Sequence, residues 1–171
     1  MRIGIIGLGS MGQMLVKSLC KSGVIQPEHI TVFNRTREKA ENLQASHGIL
    51  IAESAQEVCD QANLVFLCTK PLDILPILRA LSIPESVHIV SVAAGVSIDD
   101  LETVHAGAVS KVIPTVTSQE LHGVSLFNAA VEQVQRIAMS YSLSCLPLVN
   151  HRKCPRSRSK QRRSSPAAHQ D

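Results

Sequence analysis

Tryptophan is absent from this chain, and its aromatic residues are one Tyr and three Phe, 2% of 171 residues. That leaves no material for a platform on which RRM-type domains stack bases. No apolar run approaches the roughly 18 residues of a membrane span. The amino terminus, MRIGIIGLGSMG, passes from a short apolar stretch straight into glycines and does not read as a signal peptide. The five cysteines, at 20, 59, 68, 145 and 154, are odd in number and form no CxxC pair. They argue against a disulfide framework or a zinc site and fit reduced thiols in a cytoplasmic protein. The seven histidines show no HxH or HExxH spacing, so no metal is expected.

Hydrophobic residues make up 44% of the chain, enough for a buried core. At about 150 residues per domain, the length suits one domain, or one and a fragment. Charge is unevenly placed. Residues 1–150 hold 10 basic and 13 acidic side chains, a net of −3, whereas 151–171 hold 7 basic and one acidic, a net of +6. The body is therefore mildly acidic. The end, HRKCPRSRSKQRRSSPAAHQD, is expected to be a disordered basic tail. Such a run can neutralise phosphates, but a solvated end is the plainer reading, so nucleic acid is not the expected partner.

Apolar runs at 2–6, 30–33, 49–52, 64–68, 88–93 and 109–113 read as strands. Between them, 10–22, 37–46, 54–61, 71–81 and 98–104 read as helices. Ser54 is an expected N-cap, Pro71 suits a first turn, and Pro76 is expected to kink its helix. Wholly apolar strands alternating with helices imply an α/β fold, a doubly wound parallel sheet covered on both faces. Positions 127, 130, 131, 134, 137 and 138 are apolar at a helical spacing over Phe127–Met139. The domain plan is an α/β domain over 1–126, a helix or linker over 127–150 and the tail over 151–171.

Gly7-Leu8-Gly9-Ser10-Met11-Gly12 is a GxGxxG turn that follows the first strand and opens the first helix. Gly7 permits a tight turn, Gly9 lets the backbone approach a pyrophosphate, and Gly12 lets helix and strand pack closely. The helix start then turns N–H groups toward the phosphates. The alternative is a tight turn with no ligand. At the end of the second strand, an NAD site would usually place Asp or Glu for the ribose hydroxyl. Here stand Asn34-Arg35-Thr36-Arg37, suited to a 2′-phosphate, which favours NADP(H) over NAD(H); the alternative is a solvated polar loop. Cys68-Thr69-Lys70-Pro71 and Ala93-Ala94-Gly95 both lie at carboxyl ends of strands, where open α/β sheets bind ligands. Lys70 is either held near the crevice or solvated. Cys68 lacks a partner of nucleophilic type, and Asp99-Asp100 read as a helix start.

Taken together, IGIIGLGSMG, NRTREKAENL, ESAQEVCDQANLVFLCTKP, VSVAAGVSIDDLE and KVIPTVTS resemble the pyrroline-5-carboxylate reductase family in order and spacing, over roughly residues 1–127. The KPLDI and SLF stretches look closer still to its late-competence oxidoreductase homologues. The resemblance implies a Rossmann domain that binds NADPH, or less often NADH, and reduces 1-pyrroline-5-carboxylate to L-proline, with an imino acid as the small-molecule partner. By position, Gly7, Gly9, Ser10, Met11 and Gly12 match the family's phosphate loop. Cys68, Thr69, Lys70 and Pro71 match its second nucleotide segment, and Ala93, Ala94 and Gly95 match its AAG turn. Catalytic residues are not assigned. Two departures stand out. The family's Met-Pro-Asn-Thr-Pro is Ile113-Pro114-Thr115-Val116-Thr117 here. Its helical domain, which makes the homodimer and much of the imino-acid site, has no counterpart in Ser140–Asp171, which reads as an out-of-frame or truncated end. Weak or absent turnover, or a dinucleotide-binding module without catalysis, is expected of the chain as written.

Overall fold

The computed structural model describes residues 1–114 and 125–128. Six strands run parallel in one sheet: β1 (Ile3–Ile6), β2 (Ile30–Phe33), β3 (Leu50–Ile51), β4 (Leu64–Leu67), β5 (His88–Ser91) and β6 (Val109–Pro114). A seventh, β7 (Ser125–Asn128), pairs antiparallel with β6. Between the parallel strands lie α1 (Ser10–Ser22), α2 (Arg37–His47), α3 (Ala55–Gln61), α4 (Pro71–Ala80) and α5 (Ile98–Glu102). This is the expected α/β Rossmann architecture.

Spatial order is β3-β2-β1-β4-β5-β6-β7. The chain moves outward from β1 to β3, then returns to lay β4 against the other side of β1. In open α/β sheets that reversal opens a crevice at the carboxyl ends of the two central strands. Ile6 at the end of β1 pairs with Leu67 at the end of β4, and the Cys68 N–H donates to the Ile6 carbonyl at 2.8 Å. The loops that leave β1 and β4 therefore start side by side.

The strands are apolar throughout because both faces are covered. Ile3, Ile5, Leu64 and Phe66 point into one core with Leu15, Leu19 and Leu43 of α1 and α2. Ile6, Val65 and Leu67 point into the other, with Val58, Ile74, Leu78 and Leu101 of α3, α4 and α5. Each such side chain taken from water stabilises the fold by about 1.5–3 kcal/mol. β4 is wholly buried, so no polar residue could alternate along it without an unpaired group.

Ser54 is the N-cap of α3, its hydroxyl accepting from the Glu57 N–H at 3.1 Å. Pro71 opens α4, which continues through Pro76 to Ala80. Pro76 has no N–H to offer Leu72 four residues back, and Leu72 is 89% exposed at the first turn. The third strand is shorter than its apolar run: Leu50 and Ile51 stand in register with β2, and the Ala52 N–H donates to the Val32 carbonyl at 2.9 Å as the chain leaves the sheet. The helical spacing expected from Phe127 does not hold at its start: Phe127 and Asn128 belong to β7, in register with Val112 and Lys111. Short apolar runs fit either period, and here strand pairing decided. Residues 129–139 and the expected tail lie outside the described residues.

Candidate functional site

A cleft of about 540 Å³ opens at the crevice between β1 and β4, within the usual range of roughly 300–1,000 Å³ for small-molecule sites. Three of its walls were marked by the sequence: Gly7 and Gly9, then Asn34, Arg35 and Thr36, then Cys68, Thr69 and Lys70. The apolar remainder is Ile6 and Leu8 beside the glycine turn, with Phe33, Ala55, Pro76 and Ile77 brought in by packing. Lys39 and Asp73 also reach it. With Arg35, Lys39 and Lys70 against one carboxylate, the cleft's formal charge is +2, suited to an anion.

The three motif glycines prove to have separate physical roles. Gly7 has φ of +97°, and a Cβ there would lie 2.9 Å from the Cys68 backbone. It is needed both by the turn and by the approach of the β4 loop. A Cβ on Gly12 would lie 2.0 Å from the Gly7 carbonyl oxygen, so Gly12 lets α1 sit on the turn. Gly9 differs. Its φ of −70° suits any residue, and the nearest atom to a Cβ there is Cys68 O at 3.9 Å. No described protein atom requires position 9 to be bare. The space a side chain would take belongs to the cleft.

The turn is tied down from β2. The Gly7 N–H donates to the Phe33 carbonyl at 2.9 Å, and the Leu8 N–H donates to Asn34 Oδ1 at 2.8 Å. Asn34 Nδ2 donates in turn to the Thr36 carbonyl at 2.8 Å. Asn34 thus joins the glycine turn to the loop after β2, a role its position in the motif did not disclose. The first N–H groups of α1 lack acceptors within the helix, and Gly9 has no side chain to cap them. Ser10 and Met11 are not among the residues that line the cleft; Ser10 is exposed at the start of α1, and the Met11 side chain packs on the core.

The two arginines after β2 part company. Arg35 lines the cleft. Arg37 donates to Glu53, 16 residues on, and to Glu41 one turn along α2. The pairing holds its guanidinium above its ordinary value, through Glu53 first, and Glu53 correspondingly low. Lys39, which carried no signal in the motif, takes the place in the cleft that Arg37 does not. Thr36 is the N-cap of α2 but makes no side-chain cap bond.

On the β4 side, Thr69 Oγ1 is enclosed and has no hydrogen-bond partner among the described residues. A buried hydroxyl without a partner is costly unless a ligand serves it. Burial pushes the Cys68 thiol up to about 12, which leaves it inert as a nucleophile. Lys70 is the N-cap of α4 and lines the cleft, with Pro71 behind it at the first helical position. Ala93, Ala94 and Gly95 are not on the cleft wall. They form a turn behind it, where a Gly95 Cβ would touch Pro71 at 3.3 Å. Asp100 completes a capping box with Ser97, and the hydrogen bonds from Ser97 hold its carboxyl below the usual range. Among the described residues there is no metal-ligating cluster, and no helix is long and apolar enough to cross a membrane.

Residues 2–95 match the family described as NADP oxidoreductase coenzyme F420-dependent. ComE operon protein 4 of Bacillus subtilis is 39% identical over 129 residues, 74% of this chain and 47% of that protein. The pyrroline-5-carboxylate reductase of Escherichia coli is 37% identical over 102 residues, 58% of this chain and 38% of that one. Among solved structures, the 1-pyrroline-5-carboxylate reductase of Streptococcus pyogenes is similar with a TM-score of 0.69 and 28% identity, over 83% of this chain and 56% of that protein. The chain thus spans less than half the length of the curated relatives it matches. With its glycine turn, its cationic cleft and this match over more than half its residues, the chain belongs to the NADP oxidoreductase, coenzyme F420-dependent, family and is a homologue of the pyrroline-5-carboxylate reductases.

Proposed function

We propose that this chain binds NADPH in preference to NADH and is the cofactor half of a reductase acting on a C=N bond, of the kind that converts 1-pyrroline-5-carboxylate to L-proline. The observation that carries the reading is Gly9: its backbone is unstrained and its Cβ position is open, so a ligand is the remaining reason for the missing side chain. The unpartnered Thr69 hydroxyl and the net positive cleft agree with a phosphate-bearing, hydroxyl-rich occupant.

Bound NADPH supplies a hydride to an imine carbon. The chain's residues bind and orient. The open N–H groups of α1 receive the pyrophosphate, with the helix dipole adding to their attraction. Arg35 and Lys39, with the free Thr36 hydroxyl, receive the ribose 2′-phosphate. Thr69 hydrogen-bonds the ligand from the β4 side. No side-chain nucleophile is required, which agrees with the raised Cys68 thiol. A cytoplasmic setting, a small imino acid as substrate, and no membrane or nucleic-acid partner complete the reading. The chain alone is expected to oxidise NADPH with the imine slowly or not at all. Hydride transfer needs both reactants held at about 3–3.5 Å, and in this reading the described cleft receives the cofactor.

The experiment compares NADPH and NADH by calorimetry in the wild type and in Arg35→Ala and Lys39→Ala. A charge-assisted bond to phosphate is worth about 1.5–3 kcal/mol, so the wild type should favour NADPH about ten-fold or more, and each variant should lose much of that preference. Equal affinities, or an unchanged preference in both variants, overturn the assignment. A second reading follows from the 39% identity to ComE operon protein 4: a dinucleotide-binding homologue whose reaction is not proline synthesis. NADPH binding with no imine-dependent oxidation, even beside a helical domain from a reductase, favours that reading.

A further inference from the structure

Lys111 lies on β6, opposite Ser91, the last residue of β5. Its Nζ donates to two carbonyls of the loop that leaves β5, Ala94 at 2.7 Å and Val96 at 2.7 Å. Two charge-assisted bonds from one ammonium to carbonyls two residues apart fix the curl of that loop, because an ammonium offers only three donors. The rest of the loop is pinned at its ends. Near β5, the Ala93 N–H donates to Ser91 Oγ at 3.3 Å. At the far end, Ser97 and Asp100 form the capping box of α5. Among the described residues, neither the Ala94 nor the Val96 carbonyl takes part in a loop backbone hydrogen bond. Lys111 supplies the hold in the middle.

What that hold positions is the turn's outer side. Gly95 rests against Pro71, close enough that a Cβ would press on it at 3.3 Å. Pro71 directly follows Thr69 and Lys70, which line the cleft. A line of contact thus runs from Lys111 through the turn to the β4 wall of the site. Its direction within the site follows from topology. In the dinucleotide reading, on which this inference rests, the ribose phosphate lies at the β2 side with Arg35 and the pyrophosphate at α1. The other half of the ligand must then extend across β4 toward β5.

We propose that Lys111 is a positioning residue: by clamping the Ala94 and Val96 carbonyls it sets the 93–96 turn against Pro71, and so shapes the surface that receives the nicotinamide half of the dinucleotide. It touches neither phosphate nor adenosine. Its removal is expected to weaken one half of the ligand's contacts and spare the other.

The test uses the full chain, with NADPH and 2′,5′-ADP as probes, the second carrying only the adenosine half. In Lys111→Met the affinity for NADPH should fall roughly ten-fold, about one charge-assisted bond's worth, while 2′,5′-ADP binds as in the wild type. Lys111→Arg, which can still donate to both carbonyls, should restore NADPH affinity. Unchanged 2′,5′-ADP binding also reports that the variant is folded. Should Lys111→Met fail to fold, Lys111→Gln, which keeps one donor pair, is expected to show the same selective loss at smaller size. Equal loss of both probes in a folded variant, no loss of NADPH affinity, or no rescue by Arg overturns the inference. A wild-type chain that binds neither probe instead overturns the dinucleotide reading itself.

Discussion

Substituting alanine at Gly9 and, separately, at Gly12 separates ligand from fold within a single motif. At Gly12 the new Cβ would lie 2.0 Å from the Gly7 carbonyl oxygen and 3.0 Å from its carbon. Neither atom belongs to a flexible side chain, so α1 must lift from the turn by more than an ångström. Gly→Ala inside a helix gains about 1 kcal/mol in propensity. Overpacking of this kind typically costs about 1–3 kcal/mol and at times more, and the lift also loosens Leu15 and Leu19 in the core below. A net loss of about 2 kcal/mol is expected. At Gly9 the nearest atom to the new Cβ is 3.9 Å away, and φ is already −70°. Alanine is a poorer N-cap than glycine but restricts the unfolded chain, and the two effects are each below about 1 kcal/mol and opposed. Stability should hardly move, whereas NADPH binding should fall at least a hundred-fold in Gly9→Ala or Gly9→Val, as two or more phosphate contacts of about 1.5–3 kcal/mol each are lost. Urea unfolding followed by far-ultraviolet circular dichroism reads stability. With no Trp in the chain, binding is read from calorimetry or NADPH's own emission. Wild-type affinity in Gly9→Val, or wild-type stability in Gly12→Ala, would refute the reasoning.

Asn34→Asp keeps an acceptor for the Leu8 N–H but sets a carboxylate against the Thr36 carbonyl, to which Asn34 Nδ2 now donates. A stability loss of about 1–3 kcal/mol and a weakened preference for NADPH are expected, from urea midpoints and calorimetry; an unperturbed midpoint counts against the tether. His88, buried at the start of β5 and sharing a hydrogen bond with Ser110 Oγ at 2.8 Å, is held down to about 4 by burial and then by His105. Its folded value lies below the ordinary 6.5, so the unfolded chain takes up the proton first. The stabilising effect is complete above about pH 6.5 and fades as pH falls toward 4, by about 2 kcal/mol at pH 5. His88→Gln, which does not titrate, should show a shallower fall in urea midpoint between pH 7.5 and 5. Parallel curves would place the acid sensitivity elsewhere.

The amino-acid sequence by itself determined the order and kind of the strands and helices from β1 to β6, but not β7, where it pointed to a helix. α1 was legible over Ser10–Ser22 and β2 over Ile30–Phe33, because apolar spacing and the glycine turn are local signals that any long-range packing must respect. Gly7 and Gly12 could be read as a pair for the same reason. Tertiary structure decided which side chains the cleft receives. Arg35 was marked by the sequence and lines the cleft, whereas Lys39 carried no signal; Glu53, brought near by the turn into α3, engages Arg37, and Lys39 faces the site. Asn34 reaches Leu8, 26 positions earlier, only because β2 lies beside β1. Lys111 meets Ala94 and Val96 only because β6 is laid along β5. Periodicity reports the face a residue occupies, through an average over many weak contacts. A hydrogen bond or ion pair depends on a few tenths of an ångström between groups distant in sequence, and these are brought together by the register of the sheet.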